Sequence, residues 1–208
     1  MAKRGRRSAK SERKREAKKR FELRAHSGSI YKRVGTAGEL VACCINAHWR
    51  EDGLASIHVL RRIPGGGHAS ASFLVDTSCL GLKDAWGRLD TSYEEFNSGI
   101  IEGMSRTLEM GHADLELARR LVAGGIRFAY QNGFRLPPRF DRWTALLGDI
   151  GDWRTADLTD FGEGGRLRYV GTKEELKRRL VGCSVEEFLA RDDVDFIMGE
   201  DDLAYLDD

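Results

Sequence analysis

His48, His58 and His68, with the carboxylates of Asp76, Asp84, Asp149, Asp152, Asp160 and Glu163, are the side chains of this 208-residue chain best suited to chemistry. Imidazoles ligate metals and carry protons, and convergent carboxylates hold the ions of two-metal phosphodiester hydrolysis. The spacings argue against both. Histidine every ten residues is what one strand plus one turn produces, and no ligand pair has zinc-finger spacing. Neither a metal nor another cofactor is expected. An RNase H-like arrangement needs an acid on its first central strand, and residues 41–49 contain none. The remaining enzymatic alternative is a metal-dependent hydrolase or nuclease at the end of the apolar run in "FLVDTSCLGLKDAW" (73–86), using Asp76, Lys83 and Asp84 with His58. Ser78 and Cys79 beside it have no evident base. Gly65-Gly66-Gly67 lacks the Lys-Ser/Thr of a phosphate loop and enters a strand rather than a helix.

A different chemistry is written into the chain's ends. Residues 1–34 carry fourteen Lys/Arg against three Glu, a charge of +11, while residues 186–208 carry ten acids against Arg191, a charge of −9; the net charge of +1 hides this separation. Clustered cations release counterions from polyphosphates and so bind nucleic acid without regard to sequence. Arg4, Arg6, Arg7, Arg13, Lys14, Arg15, Lys18, Lys19 and Arg20 are the expected phosphate contacts. Phe21 is the arm's one aromatic residue, so base stacking is not its main mode. The expected partner is RNA or a ribonucleoprotein. A third reading is a scaffold or regulatory protein whose acidic tail docks on a basic partner, and the tail could also pair with the chain's own arm.

Elements must position these groups, and the pattern divides the chain into a basic arm (1–29), a single domain (30–185) and an acidic tail (186–208). The arm cannot bury a core; it is expected to be disordered or conditionally helical. Residues 39–76 alternate with period two and read as three antiparallel strands. One face carries Cys43, Ile45, Ile57, Val59, Ala71, Phe73 and Val75 and is core; the other carries Asn46, His48, His58, Ser70 and Ser72, and reads as an ordinary solvated face, or one covered by a helix with its histidine hydrogen-bonded, rather than as a surface for a polar ligand or RNA. A turn at Glu51-Asp52-Gly53 would pair Arg50 with Leu54 and so Asn46 with His58. A five-residue second turn would pair Arg62 with His68 and His58 with Ser72. That sheet face lacks the aromatics of an RNA-reading surface.

Beyond Asp76 the pattern is mostly helical, with a short helix at 83–88, a weaker one at 92–109, and a strong amphipathic one behind the cap Asp114. Asn132-Gly133 ends that helix, and another is expected at about 139–147. Residues 166–170 read as a fourth strand, and Thr172 and Ser184 open capped helices. The fold class is therefore α+β: an antiparallel sheet of three to four strands (39–76 plus 166–170) packed by helices. No apolar stretch is long enough to span a membrane, and Cys43, Cys44, Cys79 and Cys183 form no C-x-x-C. Reduced thiols in the cytoplasm are the expectation.

"FLVDTSCLGLKDAW", "ELARRLVAGGIRFAYQNGFRLPP", "LLGDI" and "FGEGGRLRYVG" resemble, in order, the blocks of a bacterial protein family without an assigned function. Its pattern includes F-L-V-D-x-x-C-L-G-V-K-x-A, and some members end in a SEC-C metal-binding motif. The similarity covers roughly residues 40–182. Asn132 stands where the pattern has leucine before Gly-Phe, and the terminal cysteine motif is absent. The resemblance implies one domain with a basic arm and supplies no catalytic residue.

Overall fold

A computed structural model describes residues 31–36, 38–64, 66–104 and 107–198. The nine arm residues named above and the last ten residues lie outside that range. The fold is α+β. Strands β1 (Leu40–Asn46), β2 (Leu54–Arg62), β3 (His68–Asp76), β4 (Gly81–Arg88) and β5 (Met110–His112) form an antiparallel sheet in the order β4-β3-β2-β1-β5. The apolar face expected from the alternation is the core: Cys43, Ala55, Ile57, Val59, Ala71, Phe73 and Val75 are all fully buried.

The register between β2 and β3 is the expected one, with Arg62 opposite His68 and His58 opposite Ser72. Between β1 and β2 it differs. Cys44, not Asn46, lies opposite His58. The connection is a one-turn helix, α1 (Trp49–Asp52), closed by Gly53 at φ 66°, rather than a three-residue turn. This shifts the pairing by two residues, which preserves every side chain's face. Asn46 then bridges the end of the ladder: its amide donates to the Leu54 carbonyl at 3.0 Å and accepts from the Ser56 N–H at 2.8 Å.

The stretch 73–86 is a hairpin, not a strand entering a helix. Asp76 Oδ1 accepts from the N–H groups of Ser78 (3.0 Å) and Cys79 (2.8 Å), turning the chain into β4. Leu74 opposes Asp84 but Val75 opposes Leu82, so Lys83 is the extra residue of a β-bulge. That bulge spaces the core residues Leu82 and Ala85 by three, the spacing that suggested a helix.

Helix α2 (Leu115–Gln131) crosses the core face, capped by Asp114, whose carboxylate accepts from the Glu116 N–H at 3.0 Å. Gly125 on α2 meets Gly81: a Cβ on Gly81 would fall 2.3 Å from the Gly125 carbonyl oxygen. The helix then ends at Gly133 (φ 74°), with the Phe134 N–H bonded back to the Ala129 carbonyl. Helix α3 (Phe140–Thr144) runs into a tighter turn at Ala145–Leu147. The carbonyls of that turn receive Arg61, a cation at a core-facing position of β2 that the alternation passed over. Its guanidinium donates to Leu146 O and to Gly38 O at 2.7 Å.

Residues 166–170 do not join the main sheet. Strand β6 (Leu167–Gly171) pairs in parallel with β7 (Val194–Met198), separately from the five strands. Between them lie α4 (Lys173–Arg179), capped by Thr172, and α5 (Val185–Leu189), which carries the full Ser184/Glu187 capping box. Val185, Phe188 and Val194 are buried in the common core, so residues 186–198 belong to the fold although the charge count placed them in the tail. Parallel pairing needs a long crossover, and the two helices provide it. Among the described residues no helix is long and apolar enough to cross a membrane.

Candidate nucleic-acid interface

Of the two expectations for the polar sheet face, solvated or covered with its histidine hydrogen-bonded, the structure shows the second at His58 and its neighbours. Asn46, Ser56, Ser70 and Ser72 are at most 3% exposed and His58 is fully enclosed. Polar groups removed from water need partners, and these supply one another. The His58 ring is held between two hydroxyls, with Nε2 2.9 Å from Ser56 Oγ and Nδ1 2.8 Å from Ser72 Oγ. A neutral imidazole satisfies both, donating to one serine and accepting from the other. Burial pushes its pKa down to about 4, so it stays neutral near pH 7. Beside it Ser70 and Thr91 share a hydrogen bond of 2.9 Å, and Thr91 accepts from Arg88 Nε at 2.9 Å.

A segment of widened helical turns, Glu95–Glu102, buries Phe96 and shares a groove with this face. Between that segment and the sheet runs a groove of about 470 Å³ lined by Ser70, Ser72, Trp86, Arg88, Ser98 and neighbouring residues. Trp86 sits opposite Ser72 and remains 42% exposed, its ring edge-on to His58 at 6.5 Å. This aromatic was assigned to a helix on sequence grounds, so the face read as lacking one. Reading the bulge at Lys83 as a break in alternation would have placed Trp86 on the strand.

The other candidates do not gather into a catalytic group. His48 is exposed at the start of α1, with Nε2 3.5 Å from Glu109, and His68 begins β3, two strands from it. The Asp76 carboxylate closes its own hairpin, and burial raises its pKa. Lys83 Nζ pairs with Glu175 at 3.2 Å, while Asp84 is exposed and accepts from the Ala85 N–H. Asp76 lies four positions along β3 from Ser72, the partner of His58, which is roughly 13 Å along a strand. Asp160 is shared by Arg50 (3.5 Å) and Arg120 (3.1 Å), and Asp149 and Asp152 bind backbone N–H groups nearby. Among the described residues no cluster of three His, Cys, Asp or Glu is arranged to hold a metal ion.

Cations do gather. Arg135, Arg178 and Arg179 line a groove of about 390 Å³ floored by Pro137 and Pro138. The backbone sets their approach: the Arg135 N–H donates to the Arg179 carbonyl at 2.7 Å, beside the Phe134–Leu180 bridge. Arg179 is committed to the Lys83 carbonyl at 2.7 Å, and Glu175, the one acid in the groove, is taken by Lys83. Among the described residues no carboxylate lies within ion-pair distance of Arg135 or Arg178, so their guanidinium groups are available to an anion. The first groove is lined by Trp86 of β4, an edge strand of the main sheet, and the arginine groove is tied to the same strand through Arg179 and Glu175, which bind Lys83. Sequence reading passed over this second cluster because Arg135 and Arg178 are 43 residues apart in the chain.

Comparison with known proteins gives no match to a family model, to a curated protein or to a solved structure. The block resemblance rests on its own residues.

Proposed function

We propose that this protein binds nucleic acid, with RNA or a ribonucleoprotein as the preferred partner, in the cytoplasm. The composition of the arm carries this reading: fourteen Lys/Arg against three Glu within 34 residues. Arg4, Arg6, Arg7, Arg13, Lys14, Arg15, Lys18, Lys19 and Arg20 supply the phosphate contacts, and the Arg135/Arg178/Arg179 groove supports the same chemistry on the folded domain. Guanidinium groups suit phosphate because their planar fork matches two oxygens at once. The free state of all four cysteines fits a reducing compartment.

The test is a binding titration of single-stranded RNA with the full chain and with a chain lacking residues 1–24. Deletion is expected to lower affinity at least a hundredfold at about 0.1 M salt, from the loss of many counterion-releasing contacts. Equal affinity for the two chains would overturn the role given to the arm, and no binding by the full chain at low salt would overturn the function itself.

A further inference from the structure

The groove above Ser70 and Ser72 has a composition different from that of the arginine groove, and it calls for a different part of the ligand. Its wall is the half-exposed Trp86, its floor is hydroxyls, and its rim carries Arg88. Building on the nucleic-acid reading above, we infer that this groove is a base-reading pocket that takes one unpaired nucleobase of single-stranded RNA, stacked on Trp86, while neighbouring phosphates lie on Arg135 and Arg178.

Four observations on the molecule lead here. The first is the platform. Single-stranded RNA is recognised by splayed bases stacked on aromatic rings and hydrogen-bonded along their edges. Trp86 projects from a sheet face, opposite Ser72, beside an open groove. The second is rigidity. Ser72 is fixed by His58, and the imidazole is fixed from its other side by Ser56, whose own N–H is held by Asn46. Ser70 is fixed by Thr91, which Arg88 orients. The hydroxyls thus stand in set positions, as edge recognition requires.

The third is charge. Arg88 is held by Glu95 at 2.7 Å, which lowers the Glu95 pKa to about 2 and offsets the cation. A groove so balanced favours a neutral, planar, polar group over a phosphate. The fourth is continuity. Trp86 lies three residues along β4 from Lys83, whose carbonyl anchors Arg179 of the phosphate-suited groove. Both grooves thus adjoin one edge strand, along which a single RNA strand can run.

The experiment compares Trp86→Ala and Trp86→Phe with the wild-type full chain, using fluorescence anisotropy of a labelled single-stranded RNA and of an abasic strand of the same length. Trp86 is exposed, so both variants are expected to fold, checked by thermal unfolding. Trp86→Ala is expected to bind RNA about tenfold or more weakly, with an unchanged salt slope, while Trp86→Phe retains most of the affinity. Wild type and Trp86→Ala are expected to bind the abasic strand equally. If Trp86→Ala binds RNA as the wild type does, the pocket is overturned and the arm's phosphate binding stands. Equal weakening on RNA and abasic strand overturns stacking in the same way. If the wild type binds neither strand at low salt, both readings fall together.

Discussion

His58 combines a titratable ring with complete burial and two neutral partners, and this gives it a thermodynamic signature. Its folded pKa is lowered from 6.5 to about 4 because burial penalises the imidazolium. Below pH 6.5 the unfolded chain takes up a proton that the folded chain refuses. The stability contributed is therefore present above pH 6.5 and is lost as pH falls towards 4. Across that window the loss amounts to about 3 kcal/mol. In urea titrations from pH 7.5 to pH 4, His58→Gln should be less stable than wild type at neutral pH but show a shallower decline. Carboxylate titration is common to both chains, so it cancels in the difference. Parallel curves would show that the ring is not the sensor. Sequence places His58 on the polar face but does not show that Ser56 and Ser72 hold both ring nitrogens.

At the scale of elements, β1 to β3 were legible because strict alternation and a five-residue turn fix faces and register. The α2 helix was legible because Asp114 and Asn132-Gly133 mark both ends. What failed was what alternation does not encode. The one-turn helix α1 moved a register by two, and the bulge at Lys83 gave β4 a helical spacing. The pairing of β6 with β7 depends on contacts 27 residues apart in sequence, as between Leu167 and Val194. Nor does alternation tell whether a polar face is solvated or buried, as His58, Ser70 and Ser72 are.

The hairpin between β3 and β4 also carries a sharp test. Gly81 (φ 67°) and Gly151 (φ 69°) have nearly the same backbone conformation, but only Gly81 faces other atoms. A Cβ at Gly151 meets nothing within 4 Å, whereas one at Gly81 would lie 2.3 Å from Gly125 O and 2.6 Å from Ala129 N. Gly151→Ala should cost about 1 kcal/mol, the conformational penalty alone. Gly81→Ala should cost at least ~3 kcal/mol, since backbone on α2 cannot step aside. Chemical denaturation of the two variants separates the terms, and equal costs would mean that α2 does not seat on this hairpin as closely as described.

For the whole molecule, the decisive property is where charge is left unpaired. The acidic run is partly spent inside the fold: Asp193 pairs with Arg191 at 2.7 Å, and Asp195 grips Arg166 at 2.6 and 2.8 Å. The basic arm has no comparable count of acids within its own sequence, and Arg135 and Arg178 find none across their groove. Under the RNA binding proposed above, salt dependence counts the phosphate contacts. For a single strand the slope of log affinity against log salt is about −0.7 per contact, so nine arm cations alone correspond to a slope of about −6. A chain lacking residues 1–24 should retain a slope of about −1 to −2, the share of the arginine groove. Arg135→Ala with Arg178→Ala in the full chain should make the slope shallower by about 1.4, with no change in the preference for base-bearing over abasic strands. Trp86→Ala should do the opposite, removing that preference at a constant slope. A chain carrying both substitutions but keeping the wild-type slope would place the phosphate track elsewhere on the domain, because an unpaired guanidinium contacting phosphate must release its counterion when it does so.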